Sequence, residues 1–330
     1  MRGLVLNELG EPDDLVLKEF VLPEIGESEL LIEVFSAAVN FPDILSIAGK
    51  YQYRPPLPFV PGREAAGIVS EVGGKVKRFK PGDRVMVQVD YGAFAEKVVA
   101  REHETYLIPD EVNFDQAAAV GVAFQTAWLA LTDRARLKEG EAVLITGATG
   151  SVGIAATQLA STWNCRVLAG LTSPRKASAA RRAGADLIID LSGENPRESI
   201  REQVMRVTGG DGVDIVIDTI GGDVFAGALR CLRFRGRMVV VGFTSGIIPE
   251  LKANYLLLKN LEVSGIDRTQ YRDSLPGWMN EVQAQIFDYV RTDRIEMPIQ
   301  ETFPLEEFRA AFNVIRQRDI EGKVVLKIKN

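Results

Sequence analysis

The sequence predicts an α/β protein with two domains: a doubly wound parallel sheet, and a smaller, mostly antiparallel β domain. Three observations carry this. The turn Gly147-Ala148-Thr149-Gly150-Ser151-Val152-Gly153 follows a short apolar run, 142–145, and opens an Ala-rich segment, 151–162. That is a strand, a tight turn, and a helix whose N-terminus opens at the turn. Further strand–helix units follow it, and such alternation builds a parallel sheet covered on both faces. The first 120 residues instead break into short apolar pieces divided by turn residues.

Taken in order, 4–6, 15–20, 29–38 and 67–72 read as strands, separated by Gly10-Glu11-Pro12 and Val72-Gly73-Gly74. Pro81-Gly82 turns the chain into a strand at 84–89, and a further turn and strand span 91–98. A helical piece interrupts at 40–51, starting near Pro42, and the whole reads as a partly closed barrel. From Phe114 the period changes, with an Ala-rich helix at 114–131. Six apolar strands then follow, at 142–145, 165–171, 187–189, 213–217, 238–241 and 261–264, with helices near 151–162, 174–183, 196–207 and 223–233. Their continuous apolar character means burial on both faces. A loop and an amphipathic helix at 275–290 come next. The alternating run 323–328 reads as a last strand returning to the first domain's sheet. The expected division is 1–122 with 292–330, and 123–291.

Bulk properties narrow the class. A chain of 330 residues is long for one core, and 46% apolar with 25% charged residues is ordinary for a globular enzyme. A net charge of −6 argues against a general nucleic-acid binder. Cys165 and Cys231 are too few for a disulfide framework and read as small core residues. There is no basic and apolar leader at 1–10 and no apolar run of membrane-spanning length, so a cytoplasmic protein is expected.

The glycine turn carries the chemistry. Its spacing is Gly-x-x-Gly-x-x-Gly. Gly147 permits the sharp turn, Gly150 lets the backbone approach a pyrophosphate, and Gly153 lets the helix pack on the strand. Exposed N–H groups and the helix dipole at that N-terminus suit a phosphate. NAD sites usually place an acid about 20 residues past the first glycine, on the ribose hydroxyl. Here 165–176 holds no acid, but holds Thr172, Ser173, Arg175 and Lys176, which favour a 2′-phosphate and hence NADPH.

The chain also resembles the zinc-free quinone oxidoreductases (the zeta-crystallin-like family) of the medium-chain dehydrogenase/reductase superfamily. The carrying residues are Asn40-Phe41-Pro42-Asp43 with Gly49 and Tyr51, then Gly62-Arg63-Glu64-Ala65-Ala66-Gly67, Lys80-Pro81-Gly82-Asp83-Arg84-Val85, Gly92-Ala93-Phe94-Ala95-Glu96 and the 147–153 turn. The resemblance implies a chaperonin-10-like β-barrel domain with a Rossmann domain inserted before its last strands. It also implies a homodimer joined through the last Rossmann strand, 261–266. Zinc relatives have Cys and His where this chain has Asn40 and Arg63, and its only histidine, His103, lies elsewhere. No zinc is expected, since catalytic zinc needs about three protein ligands. The resemblance places Lys176 on the 2′-phosphate and Thr126 near the nicotinamide ribose. It also marks departures: Leu191 replaces a tyrosine that often assists at the phosphate, Gln125 a glycine, and Leu45 a tyrosine in the pocket.

The nicotinamide is expected near Gly242-Phe243 and the segment 40–51. Tyr51 either donates to a developing substrate oxygen or only lines the cleft. Asn40 either bonds that oxygen or holds the loop. Asp43 reads as a helix N-terminal anion, Arg63 and Glu64 as a structural ion pair, and Tyr53 as the cleft mouth. The expected activity is zinc-independent hydride transfer from NADPH to a quinone or an α,β-unsaturated carbonyl compound. The alternatives are an enoyl-thioester reductase, for which Arg230, Arg233, Arg235 and Arg237 could hold a CoA phosphate, and a non-catalytic NADPH-binding protein.

Overall fold

A computed structural model describes residues 1–22, 24–317 and 320–329. They form two compact units, Met1–Val122 with Tyr271–Asn330, and Ala123–Gln270. Residues 271–291, expected with the parallel-sheet domain, fall in the first unit. The cause is Arg272, which is fully buried. Its guanidinium donates to the Gln88 carbonyl at 2.9 Å and pairs with Asp90, Glu104 and Asp273. A buried cation needs such partners, and they all lie in the first unit. The same contacts order 268–274, expected as loop, into a helix, Arg268–Ser274. Helix Pro276–Arg291 follows it.

In the first unit a seven-stranded sheet is built around the long strand Glu29–Val39. One edge of that strand pairs along its length with Glu64–Val72. The other edge is shared: its first half pairs with Lys97–Arg101 and its second half with the last strand, Lys323–Lys327. The chain's C-terminal region therefore returns to this sheet, as the alternating run predicted. Glu64–Val72 continues the sheet to Arg84–Gln88 and then to Thr105–Leu107. The parallel strand Ile299–Pro304 closes the far edge. Leu30, Ile32, Val34, Val85, Val87, Phe94, Phe308 and Phe312 fill the core. At roughly 1.5–3 kcal/mol per buried side chain, that core is the main stabilising element of the unit.

The second unit is a six-stranded, all-parallel sheet. Its strands are Ala142–Thr146, Arg166–Leu171, Leu187–Asp190, Val213–Asp218, Leu232–Val240 and Glu262–Gly265. Numbered within the unit, their spatial order is 3-2-1-4-5-6, the doubly wound order of dinucleotide-binding domains. Leu144, Leu168, Ile189, Val216 and Met238 are wholly buried, as the apolar runs require. The fifth strand begins well before the expected 238, because Arg233 to Arg237 disguise its first half as surface. That half carries a register shift against Val213–Asp218 and a left-handed residue, Arg235, at φ 63°.

Candidate functional site

Within the parallel-sheet unit, strand Ala142–Thr146 runs directly into the glycine turn. Gly147 has φ +66°, and a Cβ there would lie 2.6 Å from Thr219 Oγ1. A Cβ on Gly153, inside helix Ser151–Thr162, would come within 2.1 Å of the Gly147 carbonyl oxygen and 2.7 Å of Ala148 Cα. Packing alone explains these two glycines. Gly150 is different. Its φ −72° and ψ 163° suit any residue, and a Cβ would meet only the Gly147 oxygen, at 3.5 Å. The protein leaves that space open where the first N–H groups of the helix emerge. A backbone that approaches a ligand phosphate closely accounts for it. The turn, with Ala148, Thr149, Ser151 and Val152, thus fits a dinucleotide.

The sheet order reverses between Ala142–Thr146 and Val213–Asp218, and hydrogen bonds lock that point. Thr146 Oγ1 donates to buried Asp218 at 2.6 Å, and Thr219 Oγ1 donates to the Thr146 carbonyl at 2.8 Å. Burial raises the Asp218 carboxyl above the usual range, against the Thr146 hydroxyl and the backbone N–H groups of Ile220 and Gly221. The loop after the fifth strand is tied to the same place. Val241 N–H donates to the Asp218 carbonyl at 2.8 Å, and Thr244 Oγ1 to the Thr219 carbonyl at 3.0 Å. The glycine turn and Gly242-Phe243 are thereby gathered at the carboxyl ends of the strands, where such sheets bind ligands. Thr172 is exposed, Ser173 half-buried and Lys176 buried just past the second strand. Thr126 is half-buried on helix Phe114–Leu129, next to buried Gln125. Sequence reasoning passed over Thr146, Asp218 and Thr219. The signal was a pair of polar residues, Asp218-Thr219, ending an otherwise apolar strand.

Within the first unit, strand Glu29–Val39 delivers Asn40 to the start of helix Phe41–Ile47. Asn40 N–H donates to Asp43 Oδ2 at 2.7 Å, so the Asp43 carboxyl caps the start of this helix. Asp43 is 1% exposed, and burial pushes its carboxyl up to about 7, opposed by the Arg63 charge and the Asn40 N–H. The Asn40 carboxamide is fully engaged. Nδ2 donates to the Ala38 carbonyl (3.2 Å) and to Glu64 Oε1 (2.9 Å), and Oδ1 accepts from Lys323 Nζ. Of its two expected roles, the geometry therefore leaves Asn40 the holding of the loop and no free donor for a substrate. Glu64 also corrects an expectation: its buried ion-pair partner is Lys323, not Arg63. The lysine comes from the far end of the chain, so no local pattern could have shown it.

Arg63 instead sits over the Tyr51 ring, its guanidinium carbon 4.1 Å from the ring centroid. Tyr51 is half-buried. Tyr53 is separate from this pair. It stacks near Tyr91, ring centroids 6.3 Å apart, and the two line a groove of about 560 Å³ that Tyr51 does not line.

Comparison with known proteins places this geometry. Residues 26–110 match the model of the alcohol dehydrogenase GroES-like domain, and 151–284 that of the zinc-binding dehydrogenase domain. The bovine (Bos taurus) quinone oxidoreductase-like protein 2 is 37% identical, over 99% of this chain and 93% of its own length. The chain belongs to the quinone oxidoreductase family of the medium-chain dehydrogenase/reductase superfamily. Its first unit contains the GroES-like (chaperonin-10-like) domain and its second is the Rossmann-type sheet. Two solved relatives are described as NADPH complexes. The Escherichia coli quinone oxidoreductase is 29% identical with a TM-score of 0.91, covering 99% of this chain and 100% of that one. A mycobacterial protein is 29% identical with a TM-score of 0.93 and the same coverage.

Arg230 pairs with Glu198, Arg233 with Asp214 and Arg237 with Glu141, so three of the four arginines considered for a CoA phosphate already neutralise carboxylates. Among the described residues, no group of three or more His, Cys, Asp or Glu side chains could hold a metal ion. His103 lies 3.5 Å from Asp273. Both cysteines are buried and free, and burial pushes the Cys231 thiol up to about 12. No helix among the described residues is long and apolar enough to cross a membrane.

Proposed function

We propose that this oxidoreductase uses NADPH to reduce quinones or α,β-unsaturated carbonyl compounds, and that it does so without zinc. The observation that carries the reading is Gly150, a helix N-cap glycine whose open side suits the close approach of a phosphate, within a turn whose neighbouring strand ends in Thr172, Ser173 and Lys176 rather than in an acid. Bound NADPH supplies the hydride. The chain's own residues position and polarise. The 147–153 turn offers N–H groups to the pyrophosphate, and Lys176 with Thr172 and Ser173 meets the 2′-phosphate. Thr126 and Gly242-Phe243 border the nicotinamide half. Tyr51 faces the acceptor, with its phenol available to a developing oxygen charge. Asn40 holds the loop that presents it. Reduction of a carbon that is already electrophilic needs no Lewis acid, which agrees with a chain that places Asn40 and Arg63 where zinc relatives place ligands.

A homodimer is part of the same reading. Strand Glu262–Gly265 is the open edge of the Rossmann-type sheet. Ile247, Ile248, Leu257 and Leu258 lie 62–79% exposed in the same unit. An unpaired sheet edge and exposed apolar side chains in one unit invite a second copy.

The test follows NADPH and NADH oxidation with a para-quinone, a 2-alkenal and a crotonyl thioester in parallel. Turnover of quinone or alkenal with NADPH preferred is the expected result. Thioester turnover alone makes the protein an enoyl-thioester reductase, and tight NADPH binding with no turnover makes it a binding protein.

A further inference from the structure

Arg63 is 3% exposed, and its Nε and Nη2 are enclosed without any hydrogen-bond partner. The Tyr51 ring covers one face of the guanidinium. Asp43, whose carboxyl feels the Arg63 charge, makes no ion pair with it among the described residues, and Asp43 Oδ1 is likewise enclosed without a partner. Nη1 is not among these enclosed atoms and makes no hydrogen bond among the described residues. Burying an arginine in such a place is costly, and an apolar side chain of similar size would be cheaper. Its retention asks for a use outside the fold. Nη1, the open nitrogen, holds two N–H donors on a planar cation that the Tyr51 ring keeps in place.

We propose that Arg63 receives the carbonyl oxygen of the acceptor on Nη1 and stabilises the negative charge that forms there. This rests on the hydride-transfer reading above. As hydride forms a C–H bond at the β-carbon of the acceptor (a ring carbon of a quinone), the acceptor's π pair shifts to its oxygen, giving an enolate, while the cofactor is oxidised; from a quinone, loss of that C–H proton to solvent then restores the aromatic ring and yields the hydroquinone. The guanidinium meets that charge, and a proton from solvent or Tyr51 then neutralises the oxygen. Arg63 thus supplies fixed positive charge at a position where zinc relatives place a metal ligand. It also favours planar acceptors, which can slide beside the Tyr51 ring, over bulky saturated ketones.

The experiment compares the wild-type enzyme with Arg63→Met and Arg63→Lys. Three quantities are read: kcat and KM for a quinone, the Kd of NADPH, and the yellow phenolate absorption of bound 4-nitrophenol, a stable planar mimic of the enolate. Expected are a roughly 100-fold fall in kcat for Arg63→Met, an unchanged NADPH Kd, and loss of the phenolate signal, with Arg63→Lys between the two. The 4-nitrophenol titration stands even if no acceptor is turned over, so the failure of the hydride-transfer reading is told apart from failure of this one. Arg63→Met that folds, keeps kcat within about twofold and still binds phenolate as the wild type overturns the proposal. Should Arg63→Met fail to fold, the same comparison is made with Arg63→Lys. Retained phenolate binding and kcat with a displaced charge would equally overturn it.

Discussion

The openness of Gly150 makes Gly150→Ala an informative substitution in this chain. The backbone there, φ −72° and ψ 163°, accepts alanine, and the new methyl meets nothing nearer than the Gly147 oxygen at 3.5 Å. Alanine is a poorer helix N-cap than glycine by up to about 1 kcal/mol. Against that, it restricts the unfolded chain and recovers about 0.4–1 kcal/mol. The two offset, so the melting temperature without cofactor should move little. Binding should not be spared. A methyl between the turn and a pyrophosphate oxygen removes one charge-assisted N–H hydrogen bond, about 1.5–3 kcal/mol, or roughly 10- to 150-fold in the Kd of NADPH. Gly153→Ala is the companion. Its Cβ would stand 2.1 Å from the Gly147 carbonyl oxygen, so backbone must move, at about 1–3 kcal/mol or more. Thermal denaturation without ligand and fluorescence titration with NADPH separate the two. If folded Gly150→Ala binds NADPH as tightly as the wild type, the space at 150 has nothing to do with phosphate, and the argument from packing is wrong.

Other expectations follow from the same geometry. Lys176→Ala should cut the preference for NADPH over NADH roughly tenfold, and equal losses for both cofactors would contradict a 2′-phosphate contact. Asp43 titrates near 7 in the fold, above the ordinary carboxylate value. The folded state therefore holds that proton more tightly. Its contribution to stability is complete below about pH 4 and is lost as pH rises towards 7, by at most ~1.4 kcal/mol per pH unit. Asp43→Asn keeps an acceptor for Asn40 N–H without the titration. The wild type should therefore lose stability relative to this variant between pH 4 and 7, and parallel urea midpoints across that range would refute the assignment. Glu64→Gln leaves Lys323 buried without its counter-charge and should cost about 3–5 kcal/mol. Adding Lys323→Met should restore much of it, and strictly additive losses in that double-mutant cycle would show that the pair is not coupled.

Sequence alone determined the parts of this protein whose signal is local. A glycine turn between an apolar strand and a helix, and the repetition of that unit, specify a doubly wound sheet because backbone conformation and phosphate access depend on a few consecutive residues. The empty acid position after the second strand is local too. So are Asp43 at the start of its helix and the alternating strand at the C-terminal end. Tertiary structure decided what depends on residues far apart in the chain. Asn40 lost its expected freedom because Lys323 and Glu64 claim its carboxamide. Arg63 pairs with an aromatic ring rather than with its neighbour Glu64. Residues 271–291 joined the first unit because buried Arg272 finds its countercharges there. In each case a buried polar group had to be satisfied, and the partner that satisfies it is chosen by proximity in space, which the order of residues does not encode locally.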